Sequence, residues 1–192
     1  MNFRDIVTRS RSYRRFDASF RLDDGLLAGL VELACYVPSS RNLQPLKYVA
    51  VSDREGCDAV FGCLSWAGYL DDWNGPPEHE RPAAYLVMLR DLAISSGAAC
   101  DCGIAAQTIL LGATSMGLGG CMVASVDRDR LCTILNIPVR YAIEFVLALG
   151  KPVEPVVIEQ MREGGDVRYY RDAHGIHHVP KRTLEEVLLR FR

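Results

Sequence analysis

Two groups of cations stand near opposite ends of this 192-residue chain. The first lies in Arg9-Ser10-Arg11-Ser12-Tyr13-Arg14-Arg15-Phe16. Arginine offers a forked set of donors with a fixed charge, and serine adds a hydroxyl, so the run reads as a phosphate grip or as a solvated basic face. The second is Lys181-Arg182, just before Thr183-Leu184-Glu185-Glu186. Thr and Glu three apart form a capping box. Two cations before that helix start make an anion site or an ordinary solvated pair. A third stretch, Pro38-Ser39-Ser40-Arg41-Asn42-Leu43-Gln44-Pro45, is dense in side-chain donors and acceptors between two prolines. It reads as a surface turn or as a rigid polar cradle for a heteroaromatic ligand.

Other chemistries find less support. His174, His177 and His178 are close together, but neighbouring strand positions such as 177 and 178 point to opposite faces, and no metal is expected. Gly117-Leu118-Gly119-Gly120 follows a helical stretch, which fits a helix stop better than a dinucleotide fingerprint. There is no Walker loop, nucleophile elbow or HExxH. With no catalytic side chain evident, hard chemistry would come from a bound cofactor.

The composition bounds the class. Apolar residues make up 49% and the net charge is −2, which suits one globular domain over 1–192 and argues against nucleic acid as partner. Seven cysteines are scattered without a CxxC and are expected as reduced core thiols. Arg4, Asp5 and Arg9 interrupt the N-terminus before any apolar run, so a cytoplasmic location is expected, with no membrane segment.

The element on which the rest is expected to pack is Ser95–Gly120. Ser95 or Ser96 would cap it and the glycine cluster 117–120 would end it. Ala99, Gly103, Ala106, Leu110, Ala113 and Gly117 fall on one small-residue stripe, with Asp101, Thr108 and Ser115 as a narrow polar line. Helices are predicted from Asn2 to Thr8, from Asp23 or Asp24 to near Val37, over Arg54–Leu64 and after Asp127. Strands are predicted at Leu46–Ser52, Ala83–Leu89, Cys121–Ser125 and Ala142–Leu149, with two arms, Val167–Arg171 and Ile176–Val179, around a turn. Trp66, Tyr69 and Trp73 sit in a loop and either line a pocket mouth or plug a satellite core.

Taken in order, these segments resemble the nitroreductase family of FMN-dependent flavoproteins. The carriers are Arg11-Ser12-Tyr13-Arg14-Arg15-Phe16, Pro38–Pro45, Gly103-Ile104-Ala105-Ala106-Gln107, Gly117-Leu118-Gly119-Gly120-Cys121 and His178-Val179-Pro180-Lys181-Arg182. The resemblance implies an α+β fold, with a mixed, mostly antiparallel sheet flanked by helices around a long central helix. It also implies a homodimer with FMN at the subunit interface. Arg11, Ser12 and Arg14 would hold the phosphate and nearby flavin oxygens, and Lys181 and Arg182 would close on the phosphate. Pro38, Ser39, Ser40, Asn42 and Gln44 would come from the partner subunit. The backbone of Val123, Ala124 and Ser125 would face the isoalloxazine. The implied activity is hydride transfer from NADH or NADPH through flavin N5 to a nitroaromatic, quinone or related small acceptor. The alternative is a flavin-binding or flavin-sequestering protein with little turnover. The chain departs from many relatives at Ser10, Ala124 and Leu46 and over Leu64–Pro77, which bear on the acceptor pocket more than on the flavin.

Overall fold

Strand residues alternate between two faces, and here both faces are buried. In β2 (Ala84–Asp91), Ala84, Leu86 and Met88 join one core, while Tyr85, Val87 and Leu89 join another. In β4 (Tyr141–Gly150), Leu147 and Leu149 face the first core, and Val146 and Ala148 the second. A sheet covered on both sides reads as a nearly continuous apolar run, as these two strands do. The computed structural model describes residues 1–161 and 164–189.

The main sheet has the order β1-β2-β4-β3, with β1 at Leu46–Val51 and β3 at Gly119–Val123. Every ladder in it is antiparallel. The parallel pairing lies in a second sheet, β5-β7-β6, where β5 (Val156–Gln160) runs parallel to β7 (His177–Lys181). Antiparallel to β7 lies β6 (Tyr170–Arg171), and the two join through the expected turn at Asp172–Gly175. β5 is not among the strands predicted from the sequence.

Local signals placed most helix starts. Asn2 caps α1 (Phe3–Arg9) in a capping box with Asp5, and Asp23 caps α2 (Asp24–Cys35). Asp53 caps α3 (Arg54–Phe61), and Asp127 caps α5 (Arg128–Ile134). Thr183 and Glu186 form the predicted box at α6 (Leu184–Val187).

The central helix differs from expectation in detail. α4 spans Ala99–Ser115, with Ala98 at the cap position and no capping side chain. The Ser95 hydroxyl donates instead to the Gly97 carbonyl. The buried side carries Cys102, Ala105, Ala106, Ile109, Leu110 and Ala113, whereas Ala99 and Gly103 are exposed. Asp101 and Thr114 are buried, so Asp101 belongs to the interior and not to an outer polar line. Gly117 alone makes the stop, at φ +78°, and Gly119 and Gly120 already belong to β3. The cysteines also divide: Cys63, Cys102 and Cys121 are buried, but Cys35 and Cys100 are exposed. Among the described residues no helix is long and apolar enough to cross a membrane.

Candidate functional site

The N-terminal basic segment lies along the edge strand β3. Ser12 forms a bridge to Gly120, and the Tyr13 N–H donates to the Gly120 carbonyl at 3.0 Å. Only glycine permits so close an approach. A Cβ at Gly119 would lie 2.5 Å from the Tyr13 ring, and one at Gly120 would lie 2.6 Å from the Ala148 carbonyl oxygen.

A buried carboxylate holds the same segment from the other side. Glu154 accepts from the N–H groups of Arg14 and Arg15. It also accepts from the Arg171 guanidinium at 3.0 Å, with its side chain 1% exposed. Arg15 is committed to Glu80 through two hydrogen bonds. Arg14 is aimed differently. Its guanidinium donates to the Ser12 carbonyl at 3.2 Å, faces His177 Nε2 at 3.5 Å and lies 4.8 Å from the Tyr169 ring centre. Burial, with the nearby Arg14 and Arg171, pushes the His177 pKa down to about 4. The ring is therefore neutral near pH 7, and its Nε2 lone pair suits the Arg14 N–H. Arg11 donates to the Val7 carbonyl at 2.9 Å, but its buried Nε has no partner. Desolvation also lowers its pKa.

Arg14 opens onto a cleft of about 220 Å³, walled by Trp66, Val123, Ala124, Ser125 and Tyr169. Loop and strand are tied there by the Ser65 N–H donating to the Ser125 carbonyl at 2.9 Å. Among the described residues, the N–H groups of Ala124 and Ser125 donate to no other group. Unpaired main-chain donors beside a cation suit an acceptor-rich ligand.

The Pro38–Pro45 loop lines a separate hollow of about 180 Å³, with Cys35, Tyr48 and Asp101. Arg41, Asn42 and Gln44 all adopt left-handed backbone, with φ of 53°, 55° and 52°. Such conformations persist when surrounding contacts over-determine them. Asp101 accepts from the Ser39 hydroxyl and from the Ser40 N–H, and the Ser39 oxygen accepts from the Gln44 N–H at 2.9 Å. The Gln44 side-chain amide donates to the Asn42 carbonyl and side-chain oxygens.

The structure thus joins Arg14 to Val123, Ala124 and Ser125, and seats Ser12 beside them. It gathers Pro38, Ser39 and Gln44 around the second hollow, with Ser40 and Asn42 in a 3₁₀ turn of the same loop. Lys181 ends β7 opposite Gln160, and Arg182 follows it, pairing with Glu186 at 3.3 Å. β7 meets Arg14 at its other end, through His177. Four residues of strand place Lys181 ~13 Å farther along. Sequence reasoning missed Glu154, His177 and Tyr169, and it left Trp66 open between pocket and core. Trp66 serves both, since it is buried, packs on Phe61 and lines the cleft.

Comparison with known proteins gives a consistent result. A sequence profile described as the nitroreductase family matches residues 7–65 and 74–151. Protein DrgA of Synechocystis sp. is 25% identical over 181 residues, covering 78% of this chain and 84% of that protein. A nitroreductase family protein of Clostridium novyi superposes with a TM-score of 0.67 at 22% identity, covering 79% of this chain and 87% of the other. A protein of Exiguobacterium sibiricum solved in complex with FMN superposes with a TM-score of 0.65 at 17% identity, covering 80% and 89%. The structural likenesses, at these identities, establish the fold.

Proposed function

Because this chain belongs to the nitroreductase family, we propose that it is an FMN-dependent oxidoreductase carrying hydride from NADH or NADPH to a nitroaromatic, quinone or related small acceptor. The observation that carries this reading is the cleft, where a cation and unpaired main-chain N–H groups meet an aromatic wall. When bound there, FMN would supply the hydride relay at its N5, which no side chain of the cleft offers.

The chain's own residues bind, orient and exclude water. Arg11, Ser12 and Arg14 would hold the phosphate and nearby flavin oxygens. The buried, unpartnered Nε of Arg11 suits such an acceptor. The amides of Ala124 and Ser125, next to Val123, would meet the polar edge of the flavin ring. Trp66 and Tyr169 would shield a bound flavin ring from water, which strengthens those contacts.

A cleft of about 220 Å³ is small for a cofactor site, since ligand pockets commonly exceed ~300 Å³. A homodimer would complete it. Pro38, Ser39 and Gln44 line a hollow apart from the cleft of their own chain, with Ser40 and Asn42 in the same loop, as they would if they served the cleft of a second copy. Lys181 and Arg182 would close on the phosphate in that assembly. We place the protein in the cytoplasm as one domain over 1–192.

The test is direct. Purified protein should carry or take up FMN, and NADH or NADPH should bleach the bound flavin, with colour returning on addition of a nitroaromatic or quinone. FMN that binds but is never bleached by either nicotinamide would instead mark a flavin-sequestering protein.

A further inference from the structure

A larger hollow of about 490 Å³ adjoins the cleft at Tyr169, whose ring contributes to the walls of both. Tyr69 lines the larger hollow and packs on Tyr169, with ring centres 5.0 Å apart. Tyr169 is braced behind by His177 at 5.2 Å and by the Arg14 guanidinium. A second contact joins the same two segments, with Arg171 4.8 Å from the Trp73 ring centre. Residues 66–73 and those beyond 151 are the interior and C-terminal stretches outside the family match. The wall they build together therefore lies outside that match, as do Trp66 and Tyr169 of the cleft beside it.

Among the described residues, the charged side chains lining the larger hollow have partners, although Arg168 and Asp166 stay 67% and 55% exposed. Glu159 accepts from the Tyr170 hydroxyl and pairs with His178 at 2.6 Å. Asp166 pairs with Arg168 at 2.7 Å. Beside these polar groups, Tyr69, Tyr169 and Pro180 offer aromatic and aliphatic surface to a ligand. Such a surface recognises a ring by stacking and burial.

We propose that this hollow is an acceptor subsite for a second aromatic ring, with Tyr69 and Tyr169 as the residues that determine specificity. The proposal rests on the proposed function, because the first ring of the acceptor would occupy the cleft beside the flavin. Acceptors with two linked or fused rings are then preferred over single-ring ones.

The experiment uses FMN-loaded full-length protein and two non-reducible probes, benzamide and biphenyl-4-carboxamide, titrated by calorimetry. The two-ring amide should bind at least tenfold more tightly. Tyr69→Ala, at a residue already 50% exposed, should cut that advantage below threefold and leave benzamide unchanged. Tyr169→Phe should preserve it, because ring surface and not the hydroxyl makes the wall. Equal affinity for the two amides in the wild type, or an advantage that survives Tyr69→Ala, would overturn the subsite while leaving the flavin reading intact. A chain that takes up no FMN overturns both together.

Discussion

The carboxylate of Asp101, buried in the first turn of α4, accepts a hydrogen bond from the Ser39 hydroxyl at 2.5 Å. Through it the central helix fixes a loop in which three non-glycine residues hold left-handed backbone. Asp101→Ala should release that loop, leaving the Ser39 hydroxyl and the Ser40 N–H without their acceptor. FMN affinity, read by fluorescence titration, is expected to fall at least tenfold. Asp101→Asn keeps one acceptor oxygen for Ser40 and should fall less. Equal affinity in wild type and Asp101→Ala would separate the loop from the cofactor.

Arg14 and Arg15 are neighbours with different duties. Arg15 is spent on Glu80, while Arg14 faces the cleft. A charge-assisted contact is worth about 1.5–3 kcal/mol, or roughly 10- to 150-fold in affinity. Arg14→Ala, Arg11→Ala and Arg182→Ala should each weaken FMN binding more than tenfold. Arg15→Ala should lower the thermal midpoint more than the affinity. Unchanged titration curves for Arg182→Ala would remove the C-terminal cations from the site.

Gly120 allows the basic segment to lie against β3. Gly120→Ala drives a methyl group toward the Ala148 carbonyl and the Leu110 side chain. Overpacking of this kind costs ~1–3 kcal/mol, and each kcal/mol lowers Tm by roughly 2–4 °C at this chain length. Differential scanning calorimetry should show the drop, with FMN affinity falling as well because Ser12 loses its register.

The open side of α4 presents Ile104, 40% exposed, beside Gly103. In the proposed homodimer this side is covered. Ile104→Glu should shift the protein toward monomer in sedimentation velocity and lose FMN with it. A variant that stays dimeric and flavin-loaded would place the interface elsewhere.

His177 and His178 should impose opposite pH dependences. Burial holds His177 down to about 4 from its ordinary 6.5. Its share of stability is complete above pH 6.5 and is lost as pH falls toward 4, because the unfolded chain takes the proton first. His178 is raised by hydrogen bonds to Asp172 and Glu159. Its share is complete below pH 6.5 and is lost as pH rises through the folded value. Thermal unfolding between pH 4 and 9 should show His177→Gln flattening the acid side of the curve. His178→Gln should lower Tm more at pH 6 than at pH 9.

Interactions spanning three or four residues were legible in the sequence. The caps at Asn2, Asp23, Asp127 and Thr183 each need only one side chain and a nearby N–H, so residue type and spacing determined them. The hairpin of β6 and β7 followed equally from Asp172–Gly175 between two extended arms. The ordered motifs also identified the family. Tertiary structure alone decided the contacts across long separations. Glu154 meets Arg14 from 140 residues away, Asp101 meets Ser39 from 62, and Tyr169 reaches a cleft otherwise built from Arg14, residues 65–68 and residues 121–125. A buried carboxylate and an exposed one look alike in a string of letters. Only the packing around Asp101 and Glu154 removed their water and made the N–H and hydroxyl groups nearby their obligatory partners.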